Sequence, residues 1–328
     1  MKFGLQPTEG GHFFRESLEE VILAEEVGFD SVWLSEHHGV EDHYWGMPLL
    51  ALAGYAARTS KIVVASNVIV LPFYHPIRVA EDAAFLDSMS GGRFILGLGM
   101  GYREDEFQMF GVEIKSRGAR YEEGMRIVLQ ALDTGRVDYH GRFHDVTGFI
   151  LQPRPPQRIP IWAGGWGTEN LRRAALYSDV WLPGPVGDLP KVLECRQIFE
   201  EHRRAAGLPM PTEWPLTREL VIAETDDKAR EAAERYMLLN YKDEYAGSWN
   251  HPLFKNRGTG AVSVDSVGIN RFIVGSPESV VRQVQAYVDA FGVNHMIFRV
   301  FAPGTPHDFV MREIELLGKE VLPAFRSV

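Results

Sequence analysis

The sequence predicts an α/β fold, a single (β/α)8 barrel over all 328 residues with an insertion at about 241–271. Three observations predict it. Short runs rich in β-branched and aromatic residues alternate with long runs of helical spacing. Each strand run is almost continuously apolar, as expected of a strand buried on both faces of a parallel sheet. The units are also spread evenly along the chain, which suits one closed barrel better than a doubly wound sheet.

Lys2–Gln6 reads as the first strand. Residues 15–26 place Leu18, Val21, Ile22 and Ala24 at helical spacing, and Gly28 is a suitable stop. Residues 31–35 form the second strand, 47–58 a helix, and 62–71 the third strand. Pro76 opens the next helix, where its missing N–H costs nothing. Residues 93–99 are the fourth strand, followed by helical patterns over 104–110 and 117–132. A hairpin spans 137–146, and the proline-rich stretch 152–160 is an extended connector. Strands at 159–163, 179–182, 216–223 and 295–300 alternate with helices at 168–176, 189–206, 226–239 and 276–291. Residues 307–322 close the chain as a helix. Tyr241–Arg271 breaks the rhythm: several glycines, mixed charges and no period read as a mobile lid or as a passive surface excursion.

Composition narrows the function. Hydrophobic residues make up 45% and charged residues 24%, ordinary values for a chain that buries a large core. Asp plus Glu number 44 against 34 Lys plus Arg, a net charge of −10. So acidic a surface repels nucleic acid and anionic membranes. No apolar run approaches the ~20 residues of a membrane span, and no leader segment is legible. A cytoplasmic location is expected. The lone cysteine, Cys195, sits in a helical apolar pattern and reads as a core thiol.

A barrel builds its site at the C-terminal ends of its strands. That rule selects Gln6 to Glu9, Glu36-His37-His38, Ser66-Asn67-Val68 with Pro72 and His75, and Gly97 to Arg103. It also selects Gly164 to Thr168, Trp181 with Pro183, and Arg299 with Phe301. Gly164-Gly165-Trp166-Gly167-Thr168 opens a helix, so its N–H groups and the helix dipole form a phosphate cradle, with Thr168 able to cap. The alternative is a plain tight turn. Gly97-x-Gly99-x-Gly101 is not a dinucleotide fingerprint, because Tyr102 follows and the first strand is not involved. Those glycines read as a place where backbone approaches a flat ligand or leaves room at the barrel mouth. The histidines lack metal-ligand spacing, so no metal is expected. His37 is the general acid or base, or else structural.

Longer stretches resemble a known family. Gly28-Phe-Asp-Ser-Val-Trp-Leu-Ser-Glu-His-His38, Val70-Leu-Pro-Phe-Tyr-His-Pro76, Ala80-Glu-Asp82 and Leu86-Asp-Ser-Met-Ser-Gly-Gly-Arg-Phe94 resemble the bacterial luciferase alpha subunit. Ala163-Gly-Gly-Trp-Gly-Thr168 and Val274-Gly-Ser-Pro-Glu278 resemble the wider luciferase-like monooxygenases. The resemblance implies a flavin-binding barrel that uses reduced FMN and O2 to oxidise a small, largely apolar substrate, with the deazaflavin F420 and hydride transfer as the alternative. It implies a separate flavin reductase, and a homodimer is expected. His37 matches the catalytic histidine, Asn67–Val68 a cis peptide behind the flavin ring, and Gly164, Gly165 and Thr168 the phosphate positions. The expected cofactor contacts are Asn67, Val68, Gly99, Met100, Tyr102, Gly164, Gly165, Trp166, Gly167 and Thr168. Met100 stands where luciferase carries an arginine for the flavin phosphate, which leaves Tyr102 or Arg103 to compensate. Trp33, Trp45, Phe73, Tyr74, Tyr102, Trp166 and Trp181 are expected to line the mouth.

Overall fold

The computed structural model describes residues 1–39, 44–238, 241 and 263–326. Its strands are β1 (Lys2–Gln6), β2 (Ser31–Leu34), β3 (Val63–Ser66), β4 (Ile69–Val70), β5 (Phe94–Gly99), β6 (Arg136–His140), β7 (Asp145–Ile150), β8 (Ile161–Gly164), β9 (Val180–Leu182), β10 (Pro215–Ile222), β11 (Ile273–Gly275) and β12 (His295–Arg299). The helices are α1 (Phe14–Val27), α2 (Pro48–Arg58), α3 (Pro76–Ser90), α4 (Glu104–Met109), α5 (Arg117–Thr134), α6 (Thr168–Tyr177), α7 (Leu189–Ala205), α8 (Asp226–Ala232), α9 (Val264–Val267), α10 (Pro277–Phe291) and α11 (His307–Leu316). No described helix is long and apolar enough to cross a membrane.

One curled sheet holds every strand except the β6–β7 hairpin, in the order β11-β10-β12-β1-β2-β3-β5-β8-β9, with β4 also on β5. Its ladders are parallel, for example Lys2↔His295 through Gln6↔Arg299. Three expectations need correction. No ladder joins β9 to β10 among the described residues, so hydrogen bonds do not close the eight-strand barrel there. β9 is short and is followed by Pro183 and Pro185, which cannot donate to a ladder. The predicted third strand is broken into β3 and β4 at Asn67–Val68, which is cis. β11 was not expected, nor was α9 inside the supposedly patternless stretch, where Ser263 and Ser266 form a capping box. Most of the expected lid, residues 242–262, lies outside the described residues.

Strand alternation sorts the core into two layers. Phe3, Leu5, Val32, Leu34, Met296 and Phe298 point outward and pack beneath the helices. Trp33, Ala65, Ile95, Trp162, Val180, Leu182 and Ile297 point inward and fill the middle of the curled sheet. The Trp33 and Trp162 rings lie 4.9 Å apart. Gly4 accommodates them, since a Cβ there would come within 2.6 Å of Trp33 Nε1. Burying each such side chain is worth about 1.5–3 kcal/mol. Cys195 is buried in the outer layer, where burial pushes its thiol up to about 11, in keeping with a core role.

Candidate active site

The inner layer also positions the site. On six strands, the position two residues beyond an inward-pointing residue reaches the C-terminal rim. Gly4 leads to Gln6, Trp33 to Ser35, Ala65 to Asn67, Trp162 to Gly164, Thr217 to Glu219 and Ile297 to Arg299. All six rim residues line one cavity of about 410 Å³. His37, Tyr44, Val68, Met100, Tyr102, Trp166, Arg117 and Lys191 line it as well.

His37 is fixed by a carboxylate from a separate element. Its Nδ1 lies 2.9 Å from Glu106 Oε1, and the same oxygen accepts the His38 backbone N–H at 2.9 Å. Glu106 sits in the first turn of α4 and is 1% exposed. A carboxylate here accepts the hydrogen bond from Nδ1–H, the tautomer that carries its ring acceptor at Nε2. Tyr44 meets the His37 ring edge-on, with centroids 4.5 Å apart. The neighbouring Glu36 has a different task. It accepts His38 Nε2–H at 2.8 Å, the Val70 backbone N–H and the Tyr74 hydroxyl, which ties the end of β2 to β4.

A second flank is a buried charge group. Arg299 lies between Glu9 at 3.9 Å and Glu219 at 3.7 Å, over the Tyr44 ring. Burial opposes the Arg299 charge, but Tyr44, Glu9 and Glu219 outweigh it and raise its pKa. Burial pushes Glu9 above the usual carboxylate range, although Arg299 and the Ser35 N–H pull it down. Glu219 also accepts the Tyr241 hydroxyl.

The opposite end is the β8–α6 turn. Gly165 (φ 128°) and Gly167 (φ 86°) adopt positive φ, and Gly167 is the N-cap of α6. The turn is held by Asn170 Nδ2–H donating to Gly164 O at 3.3 Å and Trp181 Nε1–H donating to Gly165 O at 3.0 Å. A Cβ on Gly165 would fall 1.6 Å from Asn170 Nδ2. Arg117 and Lys191 bring the nearby positive charge. Among the described residues, no cluster of three or more His, Cys, Asp or Glu is arranged to hold a metal ion.

Residues 2–294 match the family model of the luciferase-like monooxygenases. The chain belongs to this family. It is 26% identical over 323 residues to an F420-dependent glucose-6-phosphate dehydrogenase of Amycolatopsis mediterranei, covering 96% of this chain and 95% of that one. Among solved structures, monooxygenase RslO1 of Streptomyces bottropensis is similar with a TM-score of 0.86 at 24% identity, covering 99% of this chain and 100% of that one. The oxygenating constituent of 3,6-diketocamphane monooxygenase of Pseudomonas putida, a type II Baeyer–Villiger enzyme in complex with FMN, gives 0.77 at 22%, covering 100% and 99%. At these identities the two structures speak to the fold.

Within this luciferase-like chain, the cavity brings together His37, Asn67, Val68, Gly99, Met100, Tyr102, Gly164, Gly165, Trp166 and Gly167. Thr168 is the exception. It is the first helical residue, exposed, outside the cavity lining and not a cap, because the chain turns into α6 one residue earlier, at Gly167. The glycines of β5 also need rereading. A Cβ on Gly97 would fall 1.8 Å from Ser66 O, and one on Gly99 2.4 Å from Val68 Cγ2. They make room for the Ser66 carbonyl and the Val68 side chain, and Asn67 and Val68 in turn line the cavity. Of the expected mouth aromatics only Tyr102 and Trp166 line the cavity. Trp33, Trp45 and Trp181 are core, Phe73 stacks on Phe110, and Tyr74 serves Glu36. Sequence reasoning missed Tyr44, Glu106, Arg117, Lys191 and Glu219. Glu219 was findable by alternation along β10; the others come from helices and loops that no periodicity aims at the mouth.

Proposed function

We propose that the chain is an oxidoreductase that uses reduced FMN and dioxygen to oxidise a small, largely apolar organic substrate in the cytoplasm, with reduced flavin supplied by a separate reductase. One observation carries this reading: His37, oriented by Glu106, opens on the same cavity as the glycine turn before α6. The residues fit a flat, phosphate-bearing cofactor. Val68, Gly99 and Met100 offer an apolar bed for the ring system. The turn N–H groups, the α6 dipole, Arg117 and Lys191 suit the phosphate, and Arg117 and Lys191 are on hand where Met100 carries no charge. Arg103 is committed elsewhere, to Asp105 at 3.1 Å and beside Glu106 and His37.

When bound, reduced flavin supplies the electrons. This chain's residues position and protonate. Glu106 holds the His37 ring by Nδ1, and Nε2 moves a proton to or from the substrate. Val70, Leu182 and Val186 keep the substrate region apolar, while Tyr44, Gln6 and Ser35 offer hydrogen bonds to an orienting oxygen. F420-dependent hydride transfer is the second reading, favoured by the Amycolatopsis relative and by the uncharged Met100. Titrating the protein with each reduced cofactor while following tryptophan fluorescence tests the choice, since Trp166 lines the cavity. Quenching by FMN at lower concentration than by F420 supports the first reading; the reverse order overturns it. We also propose a homodimer formed through the outer faces of α2 and α3, where Leu50 is 70% and Phe85 60% exposed.

A further inference from the structure

Three adjacent strands bring a row of polar side chains to one side of the cavity rim. Glu219 on β10, Arg299 on β12 and Gln6 on β1 stand abreast, because Glu219↔Arg299 and Gln6↔Arg299 are register partners in the parallel ladders. All three line the cavity and all three are buried, with Arg299 only 8% exposed. Buried polar groups are costly unless they are hydrogen-bonded, so each unsatisfied one calls for a physical account.

The row is under-satisfied. Arg299 has five N–H donors, yet its Nε–H finds no hydrogen-bond partner among the described residues. Its Nη2 stops 3.9 Å from Glu9 Oε2 and its Nη1 3.7 Å from Glu219 Oε1, beyond hydrogen-bond reach. Gln6 Oε1 and Glu219 Oε2 also lack a partner among the described residues. The remaining atoms of both side chains are engaged. Gln6 Nε2–H donates to Ser35 Oγ and Glu9 Oε1, and Glu219 Oε1 accepts the Tyr241 hydroxyl. Donors and acceptors are thus left over side by side.

Charge selects the class of ligand. Glu9 Oε1 accepts the Ser35 N–H at 2.9 Å and the Gln6 amide N–H at 3.4 Å, the bonding pattern of a carboxylate. Arg299 therefore has a carboxylate on either side, and a further anion would be repelled by both. A neutral oxygen accepts from the guanidinium without adding charge, and a hydroxyl can also donate to a left-over oxygen. The anchor is set apart from the proton chemistry. Tyr44 stands between the two, with the Arg299 guanidinium 4.9 Å over its ring and the His37 ring edge-on at 4.5 Å.

We propose that Arg299 is the specificity residue of the cavity: it anchors an uncharged oxygen function of the organic substrate, a hydroxyl or a carbonyl, across the Tyr44 ring from His37. The proposal rests on the reading that this cavity holds an organic substrate beside its cofactor. The substrate class is then an apolar skeleton with a neutral oxygen remote from the atom that His37 serves, and carboxylic acids are rejected.

The test uses four probes on one skeleton: cyclohexane, cyclohexanol, cyclohexanone and cyclohexanecarboxylate. Their Kd values are measured by NMR titration of wild type and Arg299→Lys. Each protein is loaded, without oxygen, with whichever reduced cofactor, FMN or F420, quenches its tryptophan fluorescence. Lysine keeps the charge and loses the fork of donors. In the wild type, the alcohol and the ketone should bind at least about tenfold more tightly than the carboxylate. Arg299→Lys should weaken the alcohol and the ketone about tenfold, the loss of one hydrogen bond to a charged group, and leave cyclohexane and the cofactor unchanged. Wild-type affinity for the alcohol and the ketone in the variant overturns the anchor. Equal weakening of all four probes makes Arg299 structural and also overturns it. If Arg299→Lys does not fold, the wild-type ranking decides: a carboxylate bound most tightly, or four equal affinities, overturns the proposal. Quenching by F420 in preference to FMN overturns the monooxygenase reading alone, since the probe affinities are read with either cofactor bound.

Discussion

His37 and Glu106 form a division of labour. The imidazole lines the cavity, and the carboxylate behind it selects the tautomer. His37→Ala should fold and bind flavin, because the residue carries little core packing. Turnover should fall about 10²–10⁴-fold, the usual contribution of a positioned acid or base. Oxygen uptake should persist and appear as hydrogen peroxide. Product and peroxide counted per reduced flavin consumed check this, and wild-type coupling in the variant would make His37 structural. At the other end of the sheet, Glu213 accepts His295 Nδ1–H at 3.0 Å, and His295 Nε2 in turn meets Ser31 Oγ at 2.8 Å. Burial pushes the Glu213 carboxyl up, but hydrogen bonds and charge from His295 and Lys2 outweigh it and hold it at about 2. A depressed carboxylate stabilises the fold above its unfolded value and loses that contribution as pH falls through the folded one. Glu213→Gln should therefore cost about 1–2 kcal/mol at neutral pH, a figure discounted for partial exposure. Urea titrations should show the gap to wild type closing between about pH 4 and pH 2. A gap unchanged with pH would mean that the charge contributes nothing.

Among the elements, the β8–α6 turn and β5 make the sharpest demands. Gly165→Ala meets Asn170 and a φ of 128°, so it should disturb the turn and weaken cofactor binding by about 1.5–3 kcal/mol, the value of one charge-assisted hydrogen bond. Calorimetric titration reads this directly, and unchanged affinity would remove the turn from the cofactor site. Gly97→Ala presses on a backbone carbonyl that cannot swing away, and should destabilise the protein by more than about 2 kcal/mol. Most elements were legible from the sequence because their signals are local: Pro76 at a helix start, Gly28 in a left-handed C-cap, continuous apolar strands. What failed was non-local. The break after Ser66 shows in the sequence only as two polar residues within an apolar run, and periodicity does not say that the strand ends there. The packing reason for Gly97 and Gly99 appears only once Val68 lies against them. Thr168 looked like a cap because capping chemistry in the sequence does not say which residue turns first.

On the scale of the whole molecule, the strand-end rule found the cavity, and alternation explains why. On six strands an inward-pointing residue is followed, two positions on, by a rim residue. Helix-borne contributors such as Glu106 and Arg117 depend on tertiary placement and were not legible. The proposed dimer face makes its own prediction. Leu50→Glu with Phe85→Glu should shift light scattering from about twice the chain mass to about one chain mass, with the fold retained. A wild type already monomeric at micromolar concentration would remove the dimer. The central claim, a cavity in which reduced flavin and dioxygen oxidise an organic substrate, is tested most directly by running the reaction under heavy-isotope dioxygen with reduced FMN and weighing the product. The account predicts one heavy oxygen atom in each product molecule. Product free of heavy oxygen, formed with F420 in place of FMN, would contradict it.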